Sequence, residues 1–131
     1  MIGKRRTQKG FSLLELMIAM FVMIILISVA VPTYLYTIRH ARETILKENL
    51  DQMRRMIDQY SADKGKLPET LEDLKTAGYM RDIPVDPITD KPEWEEVKGE
   101  DPNSTEGKQG VTDVKSLAEG EDSAGKSYNT Y

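Results

Sequence analysis

The sequence contains no cysteine and only one histidine, His40. Without thiols there is no disulfide framework and no thiolate metal site. Without a second histidine or a glycine-rich phosphate loop, the usual nucleophile–base pairs and phosphate cradles have no residues to build them. The chain therefore reads as non-enzymatic. Basic surface is also scarce beyond the N-terminus. The net charge is −4, yet Lys4, Arg5, Arg6 and Lys9 stand ahead of Gly10 with no acid among them, so the remainder carries −8. From Asp82 onward thirteen acids face five lysines. Phosphate contacts need cationic surfaces, so nucleic acid is not an expected partner.

What the sequence has in quantity is one apolar run, Phe11 to Val31, interrupted only by Ser12, Glu15 and Ser28 before Pro32. About 20 apolar residues in a helix cross a hydrocarbon core of about 30 Å. In lipid only a helix or a closed barrel satisfies its own backbone. A membrane-spanning helix is the first expectation. The cations before it place the N-terminus in the cytoplasm and everything after Pro32 outside. Seven methionines, several of them inside the run, read as flexible packing residues rather than metal ligands. Tyr34 and Tyr36 suit the membrane boundary.

Glu15 is the anomaly. A carboxylate well inside a membrane helix costs about 2.5–3.5 kcal/mol. Either it lies near the cytoplasmic edge and reaches headgroups or water, or a cation meets it within an assembly of such helices. A secretory signal peptide is a competing reading, with Ser28-Val29-Ala30 as its small-x-small site and Val31 as the mature N-terminus. The run is long for an h-region, an acid inside one is unusual, and the helical pattern continues past Ala30.

The segment K-G-F-S-L-L-E-L-M-I, at Lys9 to Ile18, resembles the processing site of type IV pilins and type II secretion pseudopilins: a short basic leader ending in glycine, then Phe, then Glu at the fifth mature position. The resemblance implies cleavage after Gly10 by a prepilin peptidase, N-methylation of Phe11, and a role for Glu15 in assembly. It divides the chain into a cleaved leader (1–10), a transmembrane and filament-core helix (11–32) and a globular head (33–131) that includes an amphipathic helix over 33–64.

The residues support that head independently. About 100 residues beyond a membrane span make one small domain. After Pro32, which ends or kinks a helix, Leu46, Leu50, Met53, Ile57 and Tyr60 step by three or four, and Ile38, Ile45 and Met56 widen the same face. Lys47, Glu48, Asp51, Arg54, Arg55 and Asp58 fill the opposite side as a solvated face, with Glu43–Lys47 and Asp51–Arg55 as i,i+4 pairs. Arg39 and Arg42 lie closer to the stripe, where lipid headgroups are within reach, and His40 reads as a surface or interfacial residue. Lys64-Gly65 suits a helix end. The spacing predicts one long helix from about Phe11 to about Asp63, kinked near Pro32 and roughly 80 Å long at 1.5 Å per residue.

Beyond it, Thr70 and Asp73 resemble a capping box for a short helix that Gly78 ends. The prolines at 84, 87 and 92 exclude regular structure there. Strands are expected at Trp94–Val97 and Val111–Leu117, though Val111 and Val114 break strict alternation, and a last short strand would hold Tyr128 and Tyr131. So small a sheet needs the helix beneath it. The expected fold class is α+β, with a long N-terminal helix packed on a small antiparallel sheet.

L-P-E-T-L-E-D-L, I-P-V-D-P-I-T, D-V-K-S and the closing G-K-S-Y extend the resemblance across nearly the whole chain, toward the major pseudopilin of type II secretion. That implies a structural subunit of a helical pseudopilus that drives export of folded proteins. Its partners would be further copies of itself, other pseudopilins, inner-membrane assembly proteins and the peptidase. It would sit in the inner membrane by a single pass with a periplasmic head. The alternatives are a subunit of a type IV pilus, for adhesion, motility or DNA uptake, or a single-pass anchored binding module. The resemblance also implies a calcium loop near the C-terminus, for which Asp113, Glu119, Glu121 and Asp122 are the candidate ligands. Here the loop is short and Gly120 stands where an acid is expected, so a solvated acidic loop is the favoured reading and no cofactor is assigned.

Overall fold

The computed structural model describes Gly3 and residues 9–131. Lys4, Arg5 and Arg6 of the basic leader lie outside the described residues. The chain divides into two units, Met1–Thr37 and Ile38–Tyr131.

Helix α1 runs Leu13–Lys64, passing through Pro32 without interruption. Its start is local chemistry: Ser12 Oγ accepts the Glu15 N–H at 3.1 Å and the Ser12 carbonyl takes the Leu16 N–H, the arrangement of an N-cap. Its end is Gly65, at φ +66°, whose N–H still reaches the Ser61 carbonyl at 3.0 Å. Pro32 removes one N–H from the ladder. The helix nevertheless continues, and the Thr33 and Thr37 hydroxyls bond the carbonyls four residues back at 2.9 Å each. Up to Tyr36 the large apolar side chains of the first unit are all exposed, nineteen of them from Phe11 onward.

In the second unit the expected stripe is the core. Leu46, Leu50, Met53 and Ile57 are buried to within about a percent, and Tyr60 nearly so. Burying each Leu or Ile is worth about 1.5–3 kcal/mol over leaving it exposed. Met56 packs at the margin, whereas Ile45 stays exposed, which corrects its placement on the core face.

Short helix α2 (Leu71–Thr76) adds Leu71 and Leu74 to the core. Its capping acid works as read: Asp73 Oδ2 accepts from the N–H groups of Thr70 at 3.2 Å and Glu69 at 2.8 Å. Strands β1 (Trp94–Glu100) and β2 (Gln109–Ser116) form the antiparallel sheet, each two or three residues longer or shifted relative to expectation. The register explains the broken alternation. Val97 pairs with Asp113 and Lys98 with Val111, so Thr112 is an extra residue in a bulge. The bulge turns both Val111 and Val114 inward, each fully buried. Gly110 permits close packing there, because a Cβ would sit 2.4 Å from Leu67 Cβ.

The chain ends in a 3-10 turn at Tyr128–Thr130, not in the expected strand. Side-chain hydroxyls compete with the ladder there: Thr130 Oγ1 donates to the Ser127 carbonyl at 2.7 Å and Ser127 Oγ to Asn129 Oδ1 at 2.9 Å. The α+β class holds: a long helix against a small antiparallel sheet.

Candidate functional site

Gly10 and Phe11 sit in irregular backbone just ahead of α1. Among the described residues nothing lies within 4 Å of where a Gly10 Cβ would be, and its φ is not in the left-handed range, so neither packing there nor conformation requires glycine. Phe11 is 86% exposed. Glu15 lies in the first helical turn, exposed. Among the described residues its carboxylate has no hydrogen bond or ion pair, although its own N–H is held by Ser12. S-x-x-E is the spacing of a capping box, a signal that Ser12 and Glu15 carry in the sequence itself. The helix that follows is the one described segment long and apolar enough to cross a membrane.

The four candidate calcium ligands do not converge. Asp113 Oδ1 takes the Arg54 Nε–H at 2.7 Å. Asp122 Oδ1 accepts the N–H groups of Ala124 and Lys126 at 2.8 Å each, and its Oδ2 takes the Tyr131 hydroxyl. Glu119 and Glu121 are exposed. Among the described residues no three His, Cys, Asp or Glu side chains gather closely enough to hold a metal. The Tyr131 bond, helped by the Lys126 amide, outweighs burial and holds the Asp122 carboxyl below its ordinary value. Burial, then Asp122, pushes the Tyr131 hydroxyl far up.

A different carboxylate organises this end of the chain. Glu43, 3% exposed, accepts from the Ser123 N–H at 2.9 Å, the Ser123 hydroxyl at 2.6 Å and the Tyr128 hydroxyl at 3.3 Å. Arg39 Nε stands 3.4 Å away and His40 Nδ1 3.9 Å away. Burial pushes the carboxyl up, but the bonds from Ser123 and Tyr128 win and hold it below its ordinary value. The expected Glu43–Lys47 pair is absent; Lys47 lies over the Tyr131 ring instead. Arg54 is half-buried, not solvated. Besides Asp113 it donates to the carbonyls of Val114 at 3.1 Å and Tyr131 at 2.6 Å, and Asp51 contacts it at 4.0 Å. Arg39 donates to the Glu121 carbonyl at 2.7 Å. Four side chains of α1, Arg39, Glu43, Lys47 and Arg54, thus tie the C-terminal segment to the helix.

A third buried acid, Asp86, fixes the proline loop. It accepts from the Ile88 N–H at 2.8 Å and from the Ser116 hydroxyl, while Trp94 Nε1 donates to the Pro84 carbonyl at 2.8 Å. The D-P-I-T sequence carried this signal, because an Asp side chain commonly bonds the backbone two residues on.

The chain matches the family described as the prokaryotic N-terminal methylation motif over residues 5–31. It is 27% identical over 100 residues to the type II secretion system core protein G of Pseudomonas aeruginosa, covering 64% of this chain and 70% of that one. The protein of the same name from Klebsiella michiganensis gives the same identity and the same coverage. No solved structure gives a significant match.

Proposed function

We propose that this chain is a pilin-like structural subunit, made as a precursor, cleaved after Gly10 by a prepilin peptidase, methylated on Phe11, and assembled into a type II secretion pseudopilus. The observation that carries the reading is the junction at Gly10. A glycine that neither packing among the described residues nor backbone conformation needs stands directly before an exposed Phe and a helix whose large apolar side chains are uncovered as far as Tyr36. In this reading the glycine answers to something outside the folded chain, an enzyme that must fit the backbone there. The methylation-motif match over residues 5–31 and the similarity to core protein G support the same reading.

In this reading the apolar half of α1 is buried twice in the life of the protein, first by lipid and then by neighbouring helices. Nineteen exposed large apolar side chains far exceed what a soluble monomer leaves in water. The leader cations keep the N-terminus cytoplasmic and the acidic head periplasmic. Head-to-tail contacts that do not close on themselves generate a filament. The subunit has a mechanical role and no catalytic one.

Cross-linking of membranes from the native host tests this. A ladder of multimers containing the mature chain is expected, enriched in the fraction sheared from cells. A chain that stays monomeric under cross-linking would instead be a single-pass anchored module.

A further inference from the structure

A calcium ion takes about six to eight oxygen ligands from carboxylates and carbonyls. Near the C-terminus of this chain those oxygens already have donors within the protein. The Gly120 carbonyl takes the Tyr128 N–H at 3.2 Å, Asp122 takes Gly125 at 3.1 Å, and Lys126 takes Asp122 at 2.8 Å. Both carboxylate oxygens of Asp122 accept bonds, from two N–H groups and the Tyr131 hydroxyl. Both oxygens of Glu43 are held by Ser123, and one also by Tyr128. Asp113 Oδ1 is shared by Arg54 and the Val114 N–H. The calcium loop that the pseudopilin resemblance implies therefore does not fit these residues.

A cation of the chain's own reaches this loop instead. Arg39 stands on α1, 82 residues before the Glu121 carbonyl to which its Nη2 donates at 2.7 Å. Its Nε lies 3.4 Å from the Glu43 carboxylate, and Glu43 grips Ser123 two residues beyond Glu121. One guanidinium thus joins a loop carbonyl to a buried carboxylate, the two kinds of oxygen that a calcium ion bridges. A guanidinium stays charged and presents several donors in fixed directions, so it can hold both at once.

We propose that Arg39 is the built-in cation of the C-terminal loop, closing residues 119–128 on α1 together with Glu43 in place of a bound calcium ion. A loop closed by metal opens and shuts with ion concentration by mass action. A cation carried on the chain is present at every ion concentration, so this loop does not answer to calcium. The contact lies within the second unit and holds whether or not the chain assembles.

Hydrogen exchange of the detergent-extracted full-length chain tests this, read on peptides covering 119–128 and, for reference, 46–57 in the buried stripe of α1. In the wild type, loop exchange and the Tm followed by Trp94 fluorescence should be the same in millimolar calcium chloride as in chelator. Arg39→Gln should speed loop exchange about threefold or more and leave 46–57 unchanged. Ser123→Ala, which removes one hydroxyl from the Glu43 carboxylate, should speed it about tenfold. Arg42→Gln removes an exposed cation three residues further along α1 and should change neither peptide. Calcium that slows loop exchange or raises the wild-type Tm would overturn the proposal. So would an Arg39→Gln loop that exchanges at the wild-type rate, or an acceleration that Arg42→Gln matches or that spreads equally to 46–57.

Discussion

Glu15→Val is expected to accumulate as mature chain at the wild-type amount while its multimer fraction falls about tenfold or more, a difference of about 1.4 kcal/mol per contact. Removing the acid eases insertion, since a carboxylate deep in a membrane helix costs about 2.5–3.5 kcal/mol. Helix initiation survives, because Ser12 Oγ binds the backbone N–H of residue 15 whatever its side chain. What is lost is a charge with no partner in its own described chain. Under the proposed cleavage after Gly10 a cationic amine would form on Phe11, and that of a neighbouring copy would meet Glu15 as helices bundle. In low dielectric the attraction is strong but desolvation offsets much of it, so the pair acts mainly by penalising copies that pack out of register. Glu15→Gln separates this from capping, since Gln serves equally well at the third position of a capping box. A Gln variant that assembles normally assigns Glu15 to the cap; one that fails like Val assigns it to the charge.

Glu43→Ala should destabilise the head by about 3 kcal/mol, because it strips a buried carboxylate from three donors and leaves the Ser123 and Tyr128 groups without it. For a domain of this size that is a drop in Tm of about 10–20 °C. Trp94, the only tryptophan and 8% exposed, reports the transition by fluorescence in the detergent-extracted chain. The same carboxylate sets a pH dependence. Its folded pKa is held below the ordinary value, so its stabilisation is complete above about pH 4.5 and is lost as pH falls through the folded pKa. Wild type should therefore lose Tm between neutral and acid pH more steeply than Glu43→Gln. Part of the slope remains in the variant, because the Asp122 carboxyl is lowered in the same direction. Parallel pH profiles would show that Glu43 does not hold the C-terminal segment.

The local features were legible and the distant ones were not. The stripe from Leu46 to Tyr60, the caps at Asp73 and Gly78, and the glycine ending α1 follow from spacing within a few residues. Even the bulge at Thr112 left a trace, as two valines three apart that could not both face inward from a regular strand. Glu43 and Arg54 lie beyond the reach of local spacing, which pairs Glu43 with Lys47 one turn on and leaves Arg54 on a solvated face. Their stronger partners lie 59 to 85 residues along the chain, brought near only when the C-terminal segment folds back on α1. The same return of the chain gives Asp113 to Arg54 and Asp122 to Tyr131. At the junction, the proposed roles of Gly10, Phe11 and Glu15 face lipid, a peptidase and neighbouring copies, so their only signal in this chain is the local sequence.

The mass of the mature N-terminus tests the account most directly. Peptide mass spectrometry of the chain extracted from host membranes should find an N-terminal peptide beginning at Phe11 and carrying one extra methyl group, and replacing Gly10 with a bulky residue should leave the leader attached. A chain that begins at Val31, or one that retains Met1 through Gly10 in cells with an active prepilin peptidase, would contradict it.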